Sequence, residues 1–178
     1  MLNLSLPKGD LVFIERVRVS GAAVTTLAFS TLLDGNADGT YYMTGWFTNP
    51  AAGNAIYSWE PNSISANQFT IRSAFTNNTA RVQATSTTLR FAISISGTDA
   101  MFWSTFYARA TDGTTARNRY FESRAISVNT AGSSLNAGEQ YGQWNDSTTN
   151  VTSLRVNSSV AGSIGIGSEM SIWKLLDH

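Results

Sequence analysis

From Leu89 to Ile95 the chain alternates between apolar residues and small or polar ones: Leu89, Phe91, Ile93 and Ile95 point one way, with Arg90, Ala92 and Ser94 between them. Successive side chains on a strand point to opposite faces, so this period of two describes a strand with one buried face. Phe69, Ile71, Ser73 and Phe75 repeat the pattern against Thr70, Arg72 and Ala74, and predict a second strand with the aromatic set inward. Phe13, Val17 and Val19 make a third apolar face, which Glu15 interrupts where that strand nears a sheet edge. Further strands are expected at Val24–Phe29, Tyr41–Thr48, Ala55–Trp59, Arg81–Ala84, Met101–Ala108, Tyr120–Val128, Gln140–Trp144, Val151–Val156 and Glu169–Leu175. Turn signals such as Asp34-Gly35, Asp38-Gly39, Asn49-Pro50, Glu60-Pro61 and Asp112-Gly113 separate the runs. Short strands at this spacing read as an antiparallel sandwich or barrel. Tyr41–Thr48 and Met101–Ala108 are apolar on both faces, so they are central or turn one face to a neighbouring subunit. Asn129–Gly138 is the most loop-like stretch and suits a long connection between two Greek-key halves.

Composition narrows the function classes. Ser, Thr and Asn supply 57 of the 178 residues, which favours strands and turns over helices. Net charge is zero and twenty residues are aromatic, so the chain folds rather than staying disordered. One domain spanning 1–178 is expected, with residues 1–10 as an N-terminal arm and 176–178 as a tail. Twelve basic residues balance twelve acidic ones without a basic stripe, which argues against nucleic acid. Ten of the twelve cations are Arg, the residue favoured at interfaces. The longest apolar runs, Leu11–Ile14 and Ala100–Trp103, fall far short of the about 20 residues of a membrane helix. Met1–Asp10 lacks the basic start and apolar run of a signal peptide, so synthesis in the cytoplasm is expected. No cysteine is present, which removes disulfides, thiolate zinc sites and thiol nucleophiles. The single histidine, His178, is the last residue and a poor base for a catalytic triad.

Two segments could hold a ligand. Asp34, Asn36 and Asp38, with Gly39 following, match the opening half of a calcium loop, where alternating oxygens face one ion. The closing bidentate acid is missing, since Gly45 stands at its position. The competing reading is a hairpin-type turn, because Asp-Gly steps favour positive φ. No other cofactor is expected. The segment 139–146 offers Tyr141 and Trp144 beside Asn145 and Asp146, a mixture that can stack on a sugar and hold its hydroxyls. The competing reading makes Trp144 a plug at the sandwich end, its N–H satisfied by a neighbouring carbonyl. Trp46, Trp103 and Trp173 lie inside strand patterns and are expected in the core or an interface. A glycosidase needs two facing carboxylates. Glu60, Glu122, Glu139 and Glu169 are scattered along the chain, and nothing in the spacing pairs them, so no enzyme is expected. Gly162–Gly167 is glycine-rich, but a strand follows where a phosphate cradle needs a helix.

The end of the chain, Ile164–Leu175, carries a Gly-Ser step and then a strand closing on Ile172-Trp173-Lys174-Leu175. This resembles the ending of many small tailed-phage structural proteins. Val17–Phe29 followed by Gly39-Thr40-Tyr41-Tyr42 is similar to their opening strands, and Val151–Val156 to their penultimate strand. Asn49-Pro50 departs from the pattern, which has an Asn-Asp step near that point. The resemblance covers roughly the first fifty and last thirty residues. It implies a jelly-roll-like β-sandwich serving as a virion component, in capsid decoration, a head fibre or a tail fibre. It also implies self-association, most often as a trimer, and contact with other phage virion proteins. The alternative on the same scaffold is a carbohydrate- or receptor-binding module meeting a host-surface glycan.

Overall fold

The computed structural model describes residues 10–76, 79–94, 96–110, 116–129 and 135–176. The expected arm over residues 1–9, residues 177–178 of the expected tail, and Ile95 therefore lie outside the described residues. The elements are β1 (Leu11–Arg18), β2 (Thr26–Ala28), α1 (Gly35–Asp38), β3 (Thr40–Thr48), β4 (Ala55–Pro61), β5 (Gln68–Thr76), β6 (Thr79–Ser86), β7 (Leu89–Ser94), β8 (Thr98–Tyr107), β9 (Arg119–Asn129), β10 (Leu135–Trp144), β11 (Leu154–Ser158) and β12 (Glu169–Leu175).

Two antiparallel sheets form the fold. The larger runs β1-β12-β3-β8-β9-β10-β5-β6 and the smaller β2-β11-β4-β7. Setting aside the hairpins β5–β6 and β9–β10 leaves eight strands, four in each sheet: β1-β12-β3-β8 and β2-β11-β4-β7. That order is a jelly roll. The two hairpins pair beyond β8 and double the width of one sheet. β3 and β8 are central, as their two apolar faces require.

The core lies between the sheets. Tyr41, Met43, Phe47, Phe102, Phe106, Met170 and Ile172 of the larger sheet meet Tyr57, Trp59, Leu89, Phe91, Leu154 and Val156 of the smaller, all buried. The aromatic centre is tight, with Phe91 4.5 Å from Phe102 and 4.8 Å from Trp59, centroid to centroid. Polar tips inside it are satisfied: Trp59 Nε1 donates to Ser104 Oγ at 3.3 Å and Tyr57 Oη to the Ser163 carbonyl at 2.9 Å. Gly45 lets this centre close against β3, because a Cβ there would stand 2.4 Å from Phe102 Cζ.

Five expectations change. In β7 Leu89 and Phe91 point inward as expected, but a register shift against β4 breaks the alternation, so Ala92 and Ser94 are buried and Ile93 is only half-buried. In β1 the register shifts between Phe13 and Glu15, so Phe13 turns out of the sandwich while Val17 and Val19 pack inward. β1 is an edge strand, as Glu15 signalled, and its carboxylate accepts from the Ser30 and Thr31 amides at 2.9 and 2.8 Å. In β5 the inward residues are Gln68 and Thr70, and Phe69 is exposed. This polar pair is buried because its hydrogen bonds are made there. Gln68 Oε1 accepts from the Leu89 amide at 2.9 Å, and Thr70 Oγ1 donates to the Thr88 carbonyl at 2.7 Å. The Asp34–Gly39 segment is a one-turn helix, α1, closed by Gly39 at φ 78°, rather than a hairpin turn. Finally, β9 and β10 are adjacent hairpin partners, so Asn129–Gly138 joins neighbours and already belongs to β10 from Leu135 onward. Residues 130–134 of that stretch are outside the described ones.

Candidate functional site

The face of the larger sheet turned away from the core carries its own apolar pattern. Pairing register places its side chains in rows across the strands. One row holds Trp46, Met101, Ile126 and Ala137, and a second Ser171, Thr44, Trp103, Arg124 and Glu139. A third holds Trp173, Tyr42, Thr105, Glu122 and Tyr141, and a fourth Tyr107, Tyr120, Gln143 and Phe69. Opposite residues in neighbouring strands stand close enough for their side chains to touch.

The first three rows enclose a groove of about 490 Å³. Its walls carry Trp46, Met101 and Tyr141, which are 40%, 45% and 51% exposed, with Trp103 and Tyr42 half-buried between them. The polar lining is sparse and defined. Arg124 Nη2 is held by Glu139 Oε1 at 3.1 Å, and Glu169 by Arg16 across the β1–β12 pair. Among the described residues no ion pair engages Glu122, whose exposed carboxylate sits between Thr105 and Tyr141. Its charge, with burial as the larger cause, raises the hydroxyl pKa of nearby Tyr107. Apolar walls with a few fixed polar groups in a volume of this order describe a small-molecule or chain-binding cleft.

The fourth row lies outside the groove. Tyr107 and Tyr120 face each other across β8 and β9, 45% and 53% exposed, and Phe69 is 43% exposed two strands further on. At the opposite edge Leu11 and Phe13 of β1 are exposed as well.

The four residues expected to hold a glycan do not share a surface. Tyr141 lies on the groove wall, but Trp144, three positions on, is turned to the other face and is 1% exposed. Trp144 is a plug, with a different partner from the expected carbonyl. Its Nε1 has no hydrogen-bond partner, and the Arg119 guanidinium covers its ring at 4.8 Å. Arg119 is itself fully buried, donates to the Ala108 carbonyl at 2.9 Å and to the Asp146 and Thr149 carbonyls, and pairs with Asp146 at 3.6 Å. Burial raises the Asp146 pKa, but amide and hydroxyl donors from Thr149 and Thr148 outweigh it and hold the carboxyl at about 2. Asn145 is exposed and accepts from the Gln143 amide.

The three candidate calcium ligands are each engaged by protein. Asp34 caps α1, accepting from the Ala37 amide at 3.1 Å and from Asn150 Nδ2 at 2.9 Å. Asn36 Oδ1 accepts from the Ala110 amide at 3.1 Å. Asp38 accepts from Tyr41 Oη at 2.7 Å and Lys174 Nζ at 3.1 Å. Among the described residues no cluster of three or more His, Cys, Asp or Glu side chains could hold a metal.

Trp46, Trp103 and Trp173, expected in the core or an interface, all lie on the outer face. The groove residues Tyr42, Thr44, Trp103, Glu122 and Arg124 were not singled out as a site by their sequence. The signal that could have found them is the second apolar face of Tyr41–Thr48 and Met101–Ala108. Of the four scattered glutamates, Glu60 is tied to Arg155 at 2.7 Å in the smaller sheet, and the other three share the outer face.

No family model matches the chain, and no curated protein matches it. Two solved structures share a faint likeness. Alginate lyase A1-II', a member of polysaccharide lyase family-7, is 12% identical over 81% of this chain and 66% of its own, with a TM-score of 0.16. The infectious bursal disease virus VP2 subviral particle is 11% identical over 98% of this chain and 43% of its own, with a TM-score of 0.12. Scores of this size carry no inference about fold or function.

Proposed function

We propose that this chain is a non-enzymatic structural protein of a phage virion, which associates with itself and with other virion proteins through the outer face of its larger sheet. The observation that supports this reading is the fourth row of that face. Tyr107 and Tyr120 stand exposed opposite each other, and Phe69 is exposed beyond Gln143 in the same row, on a sheet whose inner face packs the core. Clustered exposed aromatic residues of this kind mark an interaction surface, and tyrosine is enriched in such surfaces. The resemblance of both chain ends to small tailed-phage structural proteins supplies the virion setting, and a trimer is the form that resemblance implies.

Antibody-labelled electron microscopy of particles from the source lysate tests the setting. Label over the head supports decoration or a head fibre, and label at the tail supports a fibre or tip. Particles that never carry label, alongside a free soluble pool, overturn the reading.

A further inference from the structure

We infer that the outer groove is a binding site for a neutral oligosaccharide, with sugar rings against Trp103 and Trp46 and hydroxyls held by Glu122 and Arg124. The inference rests on the non-enzymatic reading of the same sheet face, and uses its other rows.

Three observations carry it. The first is alternation. Along the second row Thr44, Trp103 and Arg124 follow one another, and along the third Tyr42, Thr105, Glu122 and Tyr141. A sugar ring presents an apolar C–H face and a rim of hydroxyls, so it matches rings interleaved with hydrogen-bonding groups. A lipid or an apolar peptide would bury the Glu122 carboxylate without giving it a partner, which is unfavourable. The second is charge. Arg124 is neutralised by Glu139 and Glu169 by Arg16, which leaves Glu122 as the groove's charge without an ion pair among the described residues. A carboxylate is acceptor-only and suits paired hydroxyl donors. The same negative charge repels uronates and sialylated chains, which makes the ligand a neutral one. The third is shape. The groove is concave and about 490 Å³, within the range of about 300–1,000 Å³ typical of small-molecule sites. A second copy seated by a two-fold axis through it would bring Glu122 toward its own counterpart.

Titration calorimetry of the purified chain against maltohexaose, cellohexaose, mannohexaose and an anionic galacturonate hexamer tests the assignment. At least one neutral hexaose binds at millimolar concentration or below, and the galacturonate does not. Trp103→Ala and Glu122→Gln each weaken that binding by roughly tenfold or more, while Leu32→Ala, at an exposed position away from this face, leaves it unchanged. Glu122 is exposed, so Glu122→Gln keeps the fold even where Trp103→Ala costs stability, and thermal melts of all variants check this. Failure of all three neutral hexaoses, equal binding of the galacturonate, or parental affinity in Glu122→Gln overturns the site. Light scattering on the same samples separates the two readings. A chain that binds sugar but stays monomeric removes self-association alone, and an oligomer that binds no sugar removes this site alone.

Discussion

Arg119 is the residue where most of the buried polar structure meets. Its guanidinium is fully buried, serves three carbonyls that end the β8, β10 and β10–β11 segments, and lies over Trp144. Truncating one member of a buried charged cluster leaves the others desolvated and unpaired. Arg119→Met is expected to lower stability by about 3–5 kcal/mol, read from urea unfolding. Trp144 gives a sharper contrast. Its N–H has no partner, so Trp144→Phe forfeits no hydrogen bond, while Trp144→Ala opens a cavity worth about 3–5 kcal/mol. If both changes cost the same, the ring is not the plug described. Asp146 sets an acid limit. Its folded pKa of about 2 lies below its unfolded value near 3.8, so its contribution is complete above that value and is lost as pH falls from about 4 toward 2. Asp146→Asn is expected to flatten that part of the stability profile while leaving the rest of it in place.

At the scale of elements, β5 shows how a strand can turn an aromatic residue, Phe69, outward. Gln68 and Thr70 turn inward because their hydrogen bonds lie there: Gln68 accepts from the first amide of β7, and Thr70 donates to the Thr88 carbonyl in the loop before it. Thr70→Val is expected to cost about 0.5–1.5 kcal/mol through the lost hydrogen bond to the Thr88 carbonyl, which keeps the Arg90 amide as its other donor, and Phe69→Ser less than about 0.5 kcal/mol in the isolated chain. Equal costs, or the reverse order in thermal melts, would mean that β5 pairs one residue out of register. The glycines of β3 and the loop before β12 act by close approach. A Cβ at Gly165 would lie 2.4 Å from Thr48 Oγ1, so Gly165→Ala is expected to destabilise by about 1–3 kcal/mol.

For the whole molecule, the two hairpins inserted into the eight-strand jelly roll make the larger sheet twice as wide as the smaller one. β7 packs across β8, β9 and β10 and reaches β5 on the inner side, so the widened sheet still has a covered face. Its other face carries the exposed rows of the groove and of Tyr107 and Tyr120. Light scattering of the purified chain is expected to give a multiple of the 19.2 kDa mass, three-fold for a trimer. Replacing Tyr107 and Tyr120 together with Ser is expected to return the monomer without lowering the melting temperature of the monomeric fold. A parent chain that is monomeric at high micromolar concentration would remove self-association through this row.

Period-two alternation, turn residues and the scarcity of helix formers were enough, from residues alone, to set an all-β antiparallel fold. The strand over Glu169–Leu175 has the bounds its pattern predicts, and Glu15 marks an edge strand. These features are local: each depends on how one residue sits relative to its neighbours two positions away. Tertiary structure decided which residues looked inward at the start of β1 and of β5. Phe69 and Phe13 read as core from their spacing, and became surface through hydrogen bonds to a distant loop and through a one-residue bulge. The site followed the same division. Tyr141 and Trp144 are near neighbours in the chain but lie on opposite sides of a strand. Tyr42, Trp103 and Glu122 are far apart in the chain, and pairing of β3, β8 and β9 brings them onto one surface. Pairing register is a long-range property that no local pattern encodes, and here it determines where the groove lies.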